Sequence, residues 1–94
     1  MAAHVTREII TRAARNEFRE TFTFFSLREI EIMFETADLR PDLTCVPPVS
    51  GQRRSLVEQY YAAIDFANPS DVRTLLGAYE ELLLRLESPN AAGL

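Results

Sequence analysis

Apolar and polar positions alternate along this chain with the period of an α-helix, four times over. In the first stretch Val5, Ile9, Ile10, Ala13, Ala14 and Phe18 share one broad side at 3.6-residue spacing, while Arg12, Arg15 and Arg19 share the other. This predicts a helix over 5–19, with Glu8 placed four residues before Arg12 as a favourable pair. Leu27, Ile30, Met33, Phe34 and Ala37 repeat the pattern and predict a second helix over 27–38, flanked by Glu31, Glu35 and Asp38. Leu56, Val57, Tyr60, Tyr61 and Ile64 predict a third over 52–64. Val72, Leu75, Leu76, Tyr79, Leu82, Leu83 and Leu86 form the core stripe of a fourth over 69–87.

The boundaries carry their own chemistry. Ser26 and Glu29 have the spacing of a capping box, in which the hydroxyl accepts from the Glu29 amide and the carboxylate from the Ser26 amide. Asn68-Pro69-Ser70-Asp71 supplies an N-cap, a proline suited to the first helical position and an acid in the first turn. Ser88-Pro89-Asn90 stops the last helix. Thr21–Phe25 is dense in threonine and phenylalanine, which favours an extended linker whose aromatic rings plug the core. Residues 40–51 contain three prolines and a glycine and read as an irregular loop, pinned to the body by Leu43, Val46 and Val49. The connection around Asp65–Asn68 is short, which makes its two helices antiparallel neighbours. The expected fold is therefore all-α: a compact bundle of four helices, the last two an antiparallel hairpin. It forms one domain across 1–94, ordered over about 5–87.

Composition narrows the function. The chain has 94 residues, 47% hydrophobic and 26% charged, an ordinary balance for a globular domain. No apolar run has the length of a membrane span and no signal peptide is visible, so no membrane association is expected. With one cysteine, Cys45, the expected setting is a reducing cytoplasm. His4 is the one histidine, so zinc of the Cys/His type and a Cys–His nucleophile pair lack residues to build them. The acids of the second and fourth helices read as solvated flanks. No catalytic residue, metal or cofactor is expected, and the chain reads as a non-enzyme. Ten bases against fourteen acids give a net charge of −4, which disfavours nucleic acid as the partner. All ten bases are arginine.

Three features read as candidate partner- or anion-binding sites. Arg53 and Arg54 follow Gly51 at a helix N-terminus, where cations oppose the macrodipole and call for a compensating anion. Asp38 or Asp42 could supply it from within, and a phosphate or a partner's carboxylate from without. Gly77 sits mid-helix, where it costs about 1 kcal/mol against alanine, and points with Leu84 away from the core stripe. Either a crossing helix or a partner accounts for that. Arg12, Arg15 and Arg19 form a basic stripe, and Glu31 and Glu35 with Asp38 an acidic one. The two stripes pair within one molecule or, facing different ways, support head-to-tail self-association.

The segment GQRRSLVEQYYAAIDFANPSDVRTLLGAYEELL, residues 51–83, resembles the N-terminal helical region of bacterial abortive-infection (AbiJ-like) proteins. The matching positions are Gly51, Arg53, Arg54, Tyr60, Tyr61, Asp65, Leu75, Leu76 and Glu80, with FSLREIEIMFETADL at 25–39 a less specific match. These are helix caps and core residues. The resemblance implies a module that sits beside an effector in an antiphage system. It points to a non-enzymatic adaptor domain that recruits or oligomerises an effector. The alternatives are a nucleic-acid-binding module using the arginine-rich helix faces, and a subunit of an enzyme completed by another chain.

Overall fold

The computed structural model describes residues 8–87. Four helices follow one another: α1 (Arg12–Phe22), α2 (Leu27–Thr36), α3 (Gln52–Ala62) and α4 (Pro69–Glu87), with no strand among the described residues. The bundle is all-α. Val5 and His4, and the stop at 88–90, lie outside the described residues.

The first helix begins later and ends later than its periodicity predicts. The Thr11 side chain accepts from the Ala14 amide at 3.1 Å and caps α1. Residues 8–11 precede the helix and are pinned elsewhere, the Ile9 amide donating to the Phe66 carbonyl at 2.8 Å. At the other end the helix runs through Thr21 and Phe22, so the extended linker is reduced to a turn over 23–25. Burial of Phe22, which is wholly enclosed, outweighs the extended preference of its neighbours. Phe25 packs on the core, whereas Phe24 stands exposed.

The capping box forms as expected: Glu29 N donates to Ser26 Oγ at 3.1 Å, and Ser26 N to Glu29 Oε1 at 2.8 Å. Helix α2 ends two residues short of its expected limit. The Asp38 amide donates to the Glu35 carbonyl at 2.8 Å and the Leu39 amide to Phe34 at 3.0 Å, the paired bonds of a Schellman motif. Asp38 takes the left-handed position of that motif, at φ 65°. Helix α4 has its expected bounds, with Asn68 Oδ1 accepting from the Ser70 amide at 2.8 Å and the Asp71 amide at 3.4 Å.

Ile30, Met33, Phe34, Val57, Leu75 and Leu82 join Phe22 in the core, with Ala78 added to the α4 stripe. Aromatic rings stack through it, Phe34 on Tyr60 at 4.1 Å and Phe18 on Tyr79 at 3.7 Å. Helix α4 packs mainly on α2, and α3 packs on α1 and α2. The short connection joins α3 to α4, but the backbones of these two helices do not pack closely against each other. The two helices meet through the tips of long side chains, Tyr61 and Tyr79, whose hydroxyls lie 2.8 Å apart. Phe18 of α1 covers the Tyr79 ring. The loop connection itself occupies space, because Phe66 packs edge-on to Tyr61 and under the Arg15 guanidinium.

The loop 40–51 is held chiefly by polar bonds, and of its three expected apolar pins Val49 alone is half-buried. Leu43 and Val46 are exposed, Val46 by 90%. The Asp42 amide donates to the Gln59 carbonyl at 2.8 Å, and Gln59 Nε2 donates to the Cys45 carbonyl at 3.2 Å.

Candidate interaction surface

Two of the three arginines that the sequence sets on an outer stripe turn inward. Because α1 starts at Arg12, its core-facing row is Arg15, Phe18 and Phe22. Arg15 is only 7% exposed. Its Nη1 donates to Glu8 Oε1 at 3.0 Å and to the Ile10 carbonyl at 2.9 Å, and its guanidinium lies 4.0 Å from the Phe66 ring centre. Burial of that charge is compensated on both sides: a carboxylate and a carbonyl in plane, a π-face above. Glu8 thus pairs with Arg15 and not with Arg12. Arg19 donates to Glu58 of α3 at 2.7 Å and to Glu20 at 3.1 Å. Arg12 alone of the three is exposed.

Arg53 and Arg54 also have internal partners, neither of them Asp38 or Asp42. Arg54 makes a two-pronged contact with Glu20 of α1, Nε to Oε2 at 2.9 Å and Nη2 to Oε1 at 2.8 Å. Arg53 Nε donates to the Phe25 carbonyl at 2.8 Å in the turn after α1. Glu20 is the compensating anion that the N-terminus of α3 calls for. Hydrogen bonding from Arg54, joined by Arg19, holds its carboxyl well below the usual range, at about 2. The chain Arg54–Glu20–Arg19–Glu58 laces α1 to α3. Gly51 opens that helix at φ 94°, a backbone angle that favours glycine.

The acidic stripe is likewise answered on its own helix, Arg28 lying 3.2 Å from Glu31 and 3.7 Å from Glu35. Basic and acidic stripes do not pair with each other. Asp42 is occupied by Thr44, whose amide and hydroxyl both bond its carboxylate and lower its pKa.

Gly77 marks a crossing inside the bundle. A Cβ built there would lie 3.4 Å from Ala37 Cβ, so the end of α2 passes closely over α4 at this point. Leu84 differs: it is 56% exposed, on the open side of α4. Beside it stand Leu76 at 46% and Leu83 at 45%, while Leu86 is exposed on the core side near the end of the helix; the apolar pattern places all three in the core. The reason is geometric. Leu75, Ala78, Tyr79 and Leu82 fill the side that α2 and the aromatic cluster can reach, and the apolar arc of α4 is wider than those neighbours. That width, nine apolar positions in nineteen residues, is the signal in the sequence. Around Leu83 and Leu84 lies a shallow depression of about 300 Å³ rimmed by Glu80, Glu81 and Glu87.

Two further hollows adjoin the loop. One of about 550 Å³ is lined by Glu35, Asp38, Leu39, Arg40, Pro41, Leu43 and Tyr60. One of about 200 Å³ lies between α1, α3 and the loop, with Arg12, Asn16, Cys45 and Glu58 among its walls. No group of three or more His, Cys, Asp or Glu among the described residues is arranged to hold a metal ion. No described helix is long and apolar enough to cross a membrane.

No protein-family model, curated protein or solved structure matches the chain.

Proposed function

We propose that this chain is a non-enzymatic interaction domain whose contact surface is the open face of α4. The observation that carries the reading is the set Leu76, Leu83 and Leu84, leucines left exposed within one arc of α4, the last two bordered by the carboxylates of Glu80, Glu81 and Glu87. Adjacent exposed leucines cost solvation free energy in the isolated chain and regain it when a partner covers them. Several polar groups go to architecture: Arg15 pairs with Glu8, Arg19 with Glu58, Arg54 with Glu20, and Tyr61 with Tyr79. The same internal pairing withdraws Arg15, Arg19 and Arg54 from a nucleic-acid face. The resemblance of residues 51–83 to abortive-infection proteins supplies the setting we propose, a bacterial antiphage system in which this domain recruits an effector.

The test is co-expression with the protein encoded beside it, followed by purification through this chain. The expected result is a complex that survives Arg12→Glu and is lost in Leu83→Glu and in Leu84→Glu, each with an unchanged helical spectrum. Phage protection by the intact pair should fall in the same two variants. A neighbour that does not bind, or that binds Leu83→Glu and Leu84→Glu as tightly as wild type, overturns the reading.

A further inference from the structure

Along α4 the residues Pro69, Arg73, Leu76, Glu80, Leu83 and Glu87 are all exposed. Their spacing is four, three, four, three, four, which is the seam of a two-helix coiled coil. Leu76 and Leu83 occupy one column of that seam. Arg73, Glu80 and Glu87 occupy the other, and none of these three is in an ion pair among the described residues. The charges are sorted along the axis, basic at the N-terminal half and acidic at the C-terminal half.

We infer that α4 pairs with α4 of a second copy of this chain, antiparallel, with Leu76 and Leu83 at the centre and Arg73 of each copy set between Glu80 and Glu87 of the other. This rests on the reading of the α4 face as an interaction surface, and it adds a second copy as the occupant of that face when no effector is bound. Charge complementarity selects both the partner and the direction. A parallel pair in register would oppose Arg73 to Arg73, Glu80 to Glu80 and Glu87 to Glu87. Reversing one helix replaces these like-charge contacts with attractive ones, twice over by the two-fold axis. With the axis level with Ala78, the helical rise puts Arg73 about 5 Å along the helix from each of the two opposing acids. Leu76 then meets the level of the second copy's Glu80, and Leu83 that of its Arg73, so the leucines are covered by the aliphatic stems of the charged column. Leu84 flanks the seam and widens its apolar side. The face spans a single helix and falls below the area of a standard stable interface, so the pairing is reversible and concentration-dependent. Its ion pairs are exposed, so it weakens as salt rises.

Sedimentation equilibrium of the whole chain at low salt, from about 10 μM to about 1 mM, tests it. The expected mass rises with concentration from 10.7 kDa toward twice that value. Leu83→Glu should hold the mass at the monomer value with its helical spectrum intact. Arg73→Glu should weaken association about tenfold, and so should Glu80→Arg with Glu87→Arg in one chain. Mixing those two variants should restore it, since each then offers the charges the other lacks. A wild type that stays monomeric to about 1 mM overturns the inference, as does a dimer indifferent to Leu83→Glu or to Arg73→Glu. The effector experiment is separate: a monomeric wild type overturns self-pairing whatever the effector does, and an effector indifferent to Leu83→Glu and Leu84→Glu overturns effector binding at this face whatever the mass.

Discussion

The Tyr61 hydroxyl donates its one proton to the Arg15 carbonyl at 2.9 Å, so at 2.8 Å from Tyr79 it is the acceptor and Tyr79 the donor. The two residues hold different positions in one relay that joins α4 to α3 and α3 to α1. Burial pushes both phenols up, Tyr79 to about 12 and Tyr61 further.

The order of donors makes the two phenylalanine variants unequal. Tyr79→Phe removes one donor and leaves the Tyr61–Arg15 bond, for a loss of about 1 kcal/mol. Tyr61→Phe leaves both the Arg15 carbonyl and the Tyr79 hydroxyl without their bond, for about 2–3 kcal/mol. Urea unfolding of the two variants checks the ranking. Since both pKa values rise on folding, the phenols' contribution is fully present below pH 10 and is lost as pH climbs toward 12. Absorbance titration should therefore show these two tyrosines ionising late and together with unfolding.

The Glu20–Arg54 contact predicts acid sensitivity with a defined sign. The Glu20 pKa is lowered from 4.5 to about 2, chiefly by the Arg54 hydrogen bonds. Its stabilisation is present above 4.5 and lost as pH falls toward 2. The carboxylate is 42% exposed, so solvent screening reduces the contribution to about 1 kcal/mol. Glu20→Gln should cost about that much at neutral pH and flatten the acid limb of the stability profile between those limits. An unchanged acid limb would remove Glu20 from this role.

Asp38 sits where glycine is the usual residue. Its left-handed φ of 65° strains an L side chain, and the residue places an acid just past the negative end of α2. Asp38→Gly relieves both, and the expected outcome is a gain of about 0.5–1 kcal/mol in thermal or denaturant unfolding.

At Gly77 two effects compete. Alanine gains about 1 kcal/mol of helix propensity, while its Cβ comes within 3.4 Å of Ala37 Cβ, a contact that a shift of a few tenths of an ångström accommodates. Gly77→Ala should raise stability by about 0.5 kcal/mol. Gly77→Leu should lower it by about 1–3 kcal/mol by forcing α2 away from α4. Thermal unfolding of the pair reads both signs.

The features legible in the sequence are those settled within a few residues. The capping box of Ser26 and Glu29 and the cap of Asn68 before Pro69 each close over three or four positions, so α2 and α4 begin where local chemistry says. The core faces of α2 and α3 follow from periodicity, the exposed Leu27 apart, because each packs against two other helices. Thr11 carries the same kind of local signal, but the apolar residues before it extend the helical period past the true cap. Tertiary structure decided the rest. The carbonyl of Phe66, far along the chain, draws Ile9 out of helical register, and the Phe66 ring with Glu8 makes a buried Arg15 affordable. Glu20 answers Arg54 across 34 residues, a pairing that no spacing rule contains. Leu76, Leu83 and Leu84 have the same apolar character as Leu75 and Leu82. Only the packing of four helices, too few to enclose every side of α4, separates a leucine that holds the fold together from one that faces outward to meet a partner.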